Sequence, residues 1–388
     1  MTNVAIIGIG QTPVGEHWES SLRTLATDAV EAALQDAGLA DQVGSIDAVV
    51  VGNAYGATFS SQAQLAPLIA DHVGLRGVEA FTVEAGDASG GAALRSGAAL
   101  IASGMARRVL VVGVEKSSDM VGSAHLSARN ISLDADYESI QGVTLPSLAA
   151  LLMRRYMHEY QVPLSAFEPF SINAHANGSK NRYSMYKNQI KPGAFGKAPM
   201  VADPVTLFDA APDADGAAAV ILTASQHAGD LVPKPIQIAS STSASDSLAL
   251  HDRDELLWLE AIARSTRQAL EQAGIDGSAI DLFELQDAYT ILSVLTLEAA
   301  GFANVGEGWK LAENGGVGLT GTLPISTFGG MKSRGNPAGA SGVYQAVEAV
   351  LQLRGDAGAN QVADAKYAMI QNVGGLASTV VTHILKTI

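Results

Sequence analysis

Cysteine is absent from this chain. That excludes disulfides, thiolate metal sites and any reaction that needs a sulfur nucleophile. Charge is scarce too: only 16% of residues are charged and 5% aromatic, while glycine alone numbers 40. Small residues at this density suit an α/β scaffold in which helices approach strands closely. The few charges are unevenly signed, giving a net −15 that argues against nucleic acid or an anionic membrane as partner. No uncharged apolar run reaches the ~18 residues of a membrane span. Met1 to Ala5 carries no basic segment, and Lys386-Thr387-Ile388 is not a peroxisomal address, so a cytoplasmic protein is expected.

What is there is length and apolar content: 388 residues, 47% hydrophobic, enough for two domains or one duplicated unit. Val4 to Ile9 reads as a buried strand ended by Gly10 and Pro13. Leu22, Leu25, Ala26, Ala29, Val30, Ala33 and Leu34 follow at helical spacing, stopped by Gly38. Val49 to Val51 and Val109 to Val112 read as core strands, with an Ala-rich helix over Ala92 to Ala102 between them. Such alternation predicts a sheet sandwiched between helices.

The second part of the chain repeats the first. Ala32 to Gly38, followed by Ser45-Ile46-Asp47, matches Gln268 to Gly274, followed by Ala279-Ile280-Asp281. A Gly-rich turn, Gly86 to Gly91, leads a helix and then a strand; Gly335 to Gly342 does the same before Ala368 to Ile370. Two similar halves, stacked, are expected: residues 1–235 and 236–388. The first carries an irregular insertion at about 117–201, with a helix around Leu148 to Tyr160. Long loops of this kind in compact domains usually serve function.

Two stretches could carry chemistry. In the turn Gly86-Asp87-Ala88-Ser89-Gly90-Gly91, backbone N–H groups at a helix start suit an oxyanion hole or an activated nucleophile. The alternative is that its small residues only permit close packing, with Asp87 as the helix N-cap. Gly329 to Gly342, with five glycines in fourteen residues, describes an irregular backbone that approaches something closely.

Together these stretches resemble the thiolase family. Gly329 to Gly342 is similar to the signature G-G-x-x-x-x-G-H-P-x-G-A-S/T-G, and Asp87-Ala88-Ser89-Gly90 to the nucleophile turn C-A-S-G. Gln286-Asp287-Ala288-Tyr289 resembles the H-D-A-F motif of the sterol-carrier-protein and archaeal branch, and Asn372-Val373-Gly374-Gly375 the closing C-x-G-G. Pro212 to Ala218 matches a P-x-S-D-G-A-A element, and His175-Ala176-Asn177-Gly178 with Asn181 a loop pattern of that branch. The motifs keep the family's order along nearly the whole chain. The resemblance implies the thiolase fold, duplicated αβαβα-layered halves, an acyl-CoA thioester as ligand with no tightly bound cofactor, and a homodimer. It also implies a zinc-ribbon/OB-fold partner protein, as many members of this branch have.

The departures are as informative. Where the family has its nucleophilic Cys, its activating His, its second Cys and the His that holds an enolate oxygen, this sequence has Asp87, Asn336, Asn372 and Gln286. None of these side chains forms a thioester. Asp87 at a helix N-terminus is a weak nucleophile, because the helix dipole stabilises its anion. Asn336 and Gln286 still donate N–H bonds to a carbonyl but shuttle no proton. Ordinary cysteine-dependent thiolysis is therefore not expected. Two readings stay open: a non-catalytic scaffold subunit, or an aldolase-type lyase on a CoA thioester, with Tyr289 and Tyr344 as candidate acids or bases.

Binding remains legible. Pro169 to Ala202 contains no Asp or Glu, yet holds Lys180, Arg182, Lys187, Lys191 and Lys197, interleaved with aromatics. The resemblance sets this island over coenzyme A, so Lys180, Arg182 and Lys187 are candidate phosphate ligands. Gly330, Gly339, Ser341, Gly374 and Gly375 are the candidate backbone contacts. The eight histidines show no metal-ligand spacing, and no metal is expected.

Overall fold

The computed structural model describes residues 3–388. Eleven strands form, in chain order: β1 (Val4–Gln11), β2 (Ala48–Gly52), β3 (Glu79–Val83), β4 (Arg108–Glu115), β5 (Met200–Ala202), β6 (Val205–Thr206), β7 (Gly216–Ala224), β8 (Ile236–Ser245), β9 (Leu282–Glu284), β10 (Tyr367–Gly374) and β11 (Thr379–Thr387). Nine join one sheet in the order β3-β2-β4-β7-β1-β8-β11-β10-β9.

The repeat is visible in the pairing. β1–β7 and β7–β4 are antiparallel and β4–β2 parallel. In the second half β8–β11 and β11–β10 are antiparallel and β10–β9 parallel. β3 has no counterpart among the described residues and leaves one sheet edge open. The halves are thus continuous edge to edge, where Val4 to Ile6 pairs Ile236 to Ile238, rather than only stacked as the sequence suggested. Runs such as Val49-Val50-Val51 and Val109 to Val112 are wholly buried because helices cover both faces.

Helix Leu22–Asp36 lies on β1 and β7, and helix Glu260–Ala273 on β8 and β11. Between the halves, helices Ser89–Ala102 and Ser341–Arg354 pack on each other. Each begins with glycines because their N-termini touch: a Cβ at Gly342 would collide with the Gly91 backbone and the Asn372 amide. The helix expected from Leu148 begins at Leu145, capped by Thr144, whose hydroxyl accepts from Ser147 N–H while the Ser147 hydroxyl accepts from Thr144 N–H. The insertion also holds helices Gly122–Arg129 and Glu168–Gly178.

Candidate functional site

The two helix N-termini open beneath a cavity of about 780 Å³, roofed by the insertion and floored by both Gly-rich turns. Asp87, Gln286, Tyr289 and Asn336 all line it, although they are separated by up to hundreds of residues in sequence. Its remaining wall is mostly apolar, including Leu145, Ile190, Leu207 and Phe208.

Asp87 does not cap its helix. The N-cap is Ala88, without a side-chain bond, and the Ser89 hydroxyl is occupied by Gly86 O and Ala85 N–H at 2.5 and 2.9 Å. The Asp87 carboxylate instead faces Arg129, whose two terminal nitrogens donate to it at 3.0 and 3.2 Å, and the Tyr55 hydroxyl, at 2.9 Å. Arg129 also stands 3.5 Å from Asp213 and lies over the Tyr55 ring at 4.6 Å. Burial works against its charge, yet the Asp213 and Asp87 carboxylates hold the guanidinium above its ordinary pKa. Asp87 is therefore a saturated carboxylate, poor as a nucleophile.

The amides form a chain. Gly91 N–H donates to Asn372 Oδ1 at 2.9 Å, which turns Asn372 Nδ2 toward Gln286 Oε1, also at 2.9 Å. Since a backbone N–H can only donate, both amide orientations follow. Gln286 Nε2 is left as a buried donor without a partner among the described residues, on a residue that lines the cavity. Asn372 stands behind Gln286 and does not line the cavity. Asn336 accepts from the Ser341 hydroxyl at 3.0 Å through Oδ1, leaving its NH₂ without a protein partner among the described residues. Two residues whose side-chain amide N–H groups lack protein partners among the described residues thus line one cavity.

Two further groups line the same cavity. Lys332 is 2% exposed, and its ammonium donates to Asp209 O. Burial lowers its pKa, opposed by Asp287 and Asp209. His175 bonds Asn188 O through Nδ1 at 3.1 Å, and burial lowers its pKa also. Tyr289 is held well above its ordinary value by burial, with Arg129 opposing and Asp213 and Asp87 adding.

Several sequence expectations move. Tyr344 is not at the site: it is fully buried, with its hydroxyl donating to Thr12 O at 2.9 Å beneath Gly216. A packing role follows. Lys180 and Arg182 line a different groove, beside Asp36 and Asp356, and Arg182 stacks on Tyr183. Lys187 is tied to Asn181 O at 2.5 Å; of the island, Lys191 reaches the cavity wall. A sequence-local run of cations does not share one face once the loop turns.

Among the glycines, Gly375 lines the cavity. Gly330, Gly339 and Gly374 face protein instead. A Cβ at Gly330 (φ +51°) would collide with the Asp287 carboxylate, which accepts from Met331 N–H at 2.6 Å and so shapes the turn carrying Lys332. Gly339 packs on the Asn53–Ala54 backbone and Gly374 on Ala85. Arg129, Tyr55 and Lys332 were missed as site residues from sequence. Only the charge of Arg129, inside the insertion expected at about 117–201, could have drawn attention to it. No group of side chains able to hold a metal ion occurs among the described residues.

Comparison with known proteins agrees with this geometry. A family model described as "Thiolase, N-terminal domain" matches residues 4–226, and one described as "Thiolase C-terminal domain-like" matches residues 242–387. An "Acetyl-CoA acetyltransferase" of Methanothermobacter thermautotrophicus is 39% identical over 384 residues, 99% of both chains. "Sterol carrier protein 2" of Homo sapiens is 28% identical, over 98% of this chain and 72% of that one. The solved structure "Ltp2-ChsH2(DUF35) aldolase" superposes with a TM-score of 0.86, covering 99% of this chain and 98% of that chain at 24% identity, which speaks for the fold. By fold, motif order and similarity along its whole length, this chain belongs to the thiolase family, in its sterol-carrier-protein/archaeal-like branch.

Proposed function

We propose that this protein binds an acyl-CoA thioester in the 780 Å³ cavity and polarises its carbonyl through Gln286 and Asn336, with no covalent acyl-enzyme. The observation that carries this reading is the unpartnered Gln286 Nε2. A buried donor left without a bond costs about 1–3 kcal/mol, so a ligand oxygen is the group that would complete it. An enolate oxygen is the strongest such acceptor, and the reaction class this favours is C–C bond chemistry at the thioester α-carbon. Asp87, saturated by Arg129 and Tyr55, holds the insertion against the helix N-terminus rather than attacking the substrate. Lys191, at the cavity wall, replaces Lys180 and Arg182 as the cation placed to meet coenzyme A phosphates.

The test is calorimetric titration with coenzyme A, acetyl-CoA and acetoacetyl-CoA, with products analysed in the same samples. Binding without thiolysis of acetoacetyl-CoA is expected. Failure to bind any of the three defeats the reading, and rapid thiolysis defeats the argument from Asp87.

A scaffold role is the second reading, and one observation favours it. Val121, Ile131, Tyr137, Ile140 and Leu151, all on the insertion, are each more than half exposed. Such an apolar band suits a protein partner, for which the resemblance suggests a zinc-ribbon/OB-fold protein. A homodimer through the open edge of β3 is compatible with either reading.

A further inference from the structure

We infer that His175 and Lys332 form the proton-transfer side of the cavity, taking the 3-hydroxyl of a 3-hydroxyacyl-CoA for retro-aldol cleavage. The inference rests on the reading of the cavity as a thioester site and adds to it a substrate class and two functional side chains.

The juxtaposition comes from close packing. Helix Glu168–Gly178 lies against the turn Gly329 to Arg334 so tightly that a Cβ at Gly178 would collide with the Ser333 side chain. His175 precedes Gly178 by one helical turn and Lys332 precedes Ser333 by one residue, and both line the cavity. The two side chains have complementary hydrogen-bonding roles. Asn188 O can only accept, so His175 Nδ1 carries the ring proton and Nε2 is a lone-pair acceptor with no protein partner among the described residues. Lys332 spends one N–H on Asp209 O and has two more, and no carboxylate stands within ion-pairing distance of it among the described residues. A buried ammonium without an ion partner calls for an oxygen from a ligand.

An acceptor beside a donor fits a hydroxyl group, which both donates and accepts. In the step, His175 Nε2 takes the hydroxyl proton and the C2–C3 bond breaks. Its electron pair moves onto the thioester as an enolate, whose oxygen is bonded by Gln286 and Asn336. The C3 oxygen becomes a carbonyl held by Lys332 and leaves as an aldehyde or ketone. The imidazolium then returns its proton to C2, giving a shortened acyl-CoA. No nucleophile, water or redox partner enters, so a site without cysteine suffices. Burial, with the Lys332 charge adding, keeps His175 neutral and ready as a base, against the opposing pull of the Asn188 bond and Asp287. The other rings against it are those of Tyr186 and Phe208, at centroid distances of 6.1 Å each.

The experiment uses 3-hydroxybutyryl-CoA and 3-hydroxy-3-phenylpropionyl-CoA, following acetyl-CoA and aldehyde release, together with deuterium uptake at C2 of acetyl-CoA in heavy water. The wild-type protein is expected to cleave at least one thioester and to exchange C2. His175→Gln should lose cleavage and exchange at least ~100-fold while the dissociation constant for acetyl-CoA changes less than ~3-fold. Lys332→Met should lose cleavage but keep C2 exchange. Binding without cleavage or exchange in the wild type overturns this inference and leaves the thioester site standing; no binding overturns both. Should His175→Gln misfold, His175→Asn with the same readouts decides. Exchange within 3-fold of wild type in a folded His175 variant removes His175 from the mechanism.

Discussion

Arg129→Met tests the electrostatic core of the site. Arg129 and Asp87 are 9% and 6% exposed, and the guanidinium meets the carboxylate with two bonds at 3.0 and 3.2 Å. Removing one partner of a buried pair typically costs about 3–5 kcal/mol, because the other charge stays behind unpaired. Here the Tyr55 hydroxyl still donates to Asp87 and the cavity admits water, so the low end, about 3 kcal/mol, is expected. With an unfolding entropy of roughly 2 cal/mol/K per residue, that loss lowers the melting temperature of a chain this size by about 4 °C. Asp87→Asn alone should cost less, because the Arg129 guanidinium left behind keeps the Asp213 carboxylate at 3.5 Å as a counter-charge. In the double variant the loss should be smaller than the sum by about 2 kcal/mol, as direct contact requires. The assay is scanning calorimetry of the four proteins at pH 7, with hydrogen exchange over residues 122–130. Exchange there should quicken in Arg129→Met, since Arg129, the last residue of helix Gly122–Arg129, ties that helix to Asp87. A shift below about 1 °C, or strict additivity in the double variant, would refute the claim that this pair fastens the insertion.

Three further outcomes follow from the same geometry. Asn372→Asp keeps an acceptor for Gly91 N–H, but its carboxylate should draw Gln286 Nε2 inward; stability should stay within about 1 kcal/mol while acetyl-CoA binding weakens, by calorimetry. Lys180→Ala with Arg182→Ala should leave coenzyme A affinity unchanged, because both line a separate groove, whereas Lys191→Ala should weaken it several-fold. Glu284→Gln should flatten part of the pH dependence of stability. Burial, with Glu348 adding, raises the Glu284 carboxyl from 4.5 to about 8. A raised acid takes up a proton on folding, so its favourable contribution is full below pH 4.5 and is lost as pH climbs to about 8. The melting curves of variant and wild type should therefore diverge in the variant's favour across that window, by on the order of 1.4 kcal/mol per pH unit.

Glycine placement and hydrophobic period made the fold legible. The repeat of Ala32 to Gly38 in Gln268 to Gly274 marks two equivalent helices, and each does lie on the equivalent strand pair, β1–β7 and β8–β11. The Gly-rich turns were legible as close approaches, but not what they approach: Gly339 meets the Asn53–Ala54 backbone, not a ligand. Side-chain pairings across the fold were beyond reach. Nothing local in sequence joins Tyr55 and Arg129 to Asp87, over 32 and 42 residues respectively. Likewise His175 falls within a quoted motif, yet its tautomer depends on Asn188 O, a partner only the packed loop supplies. Tyr344 was ambiguous because a helix position after a glycine loop faces either ligand or core; the space beneath Gly216 puts it in the core.

The distribution of satisfied and unsatisfied groups separates a working site from a disused one. At the helix N-terminus both polar side chains are engaged: Asp87 by Arg129 and Tyr55, Ser89 by its own turn. Elsewhere around the cavity the reverse holds, with Gln286 Nε2 bondless, Lys332 bonded once and His175 Nε2 free among the described residues. Each such group costs stability that a purely structural subunit could recover by an apolar substitution of similar volume. Proteins carry costs of this kind where a ligand completes the bonds. On the proposed reading the chemistry of this chain belongs to the wall built from residues 175, 286, 332 and 336, with the turn at residue 87 as a structural joint. On that basis Gln286→Leu should abolish C2 exchange into acetyl-CoA, by about 10²–10³-fold as for loss of one oxyanion donor, and raise the melting temperature at the same time. A variant that loses exchange and also loses stability would show Gln286 to be a packing residue, and the wall would lose its claim.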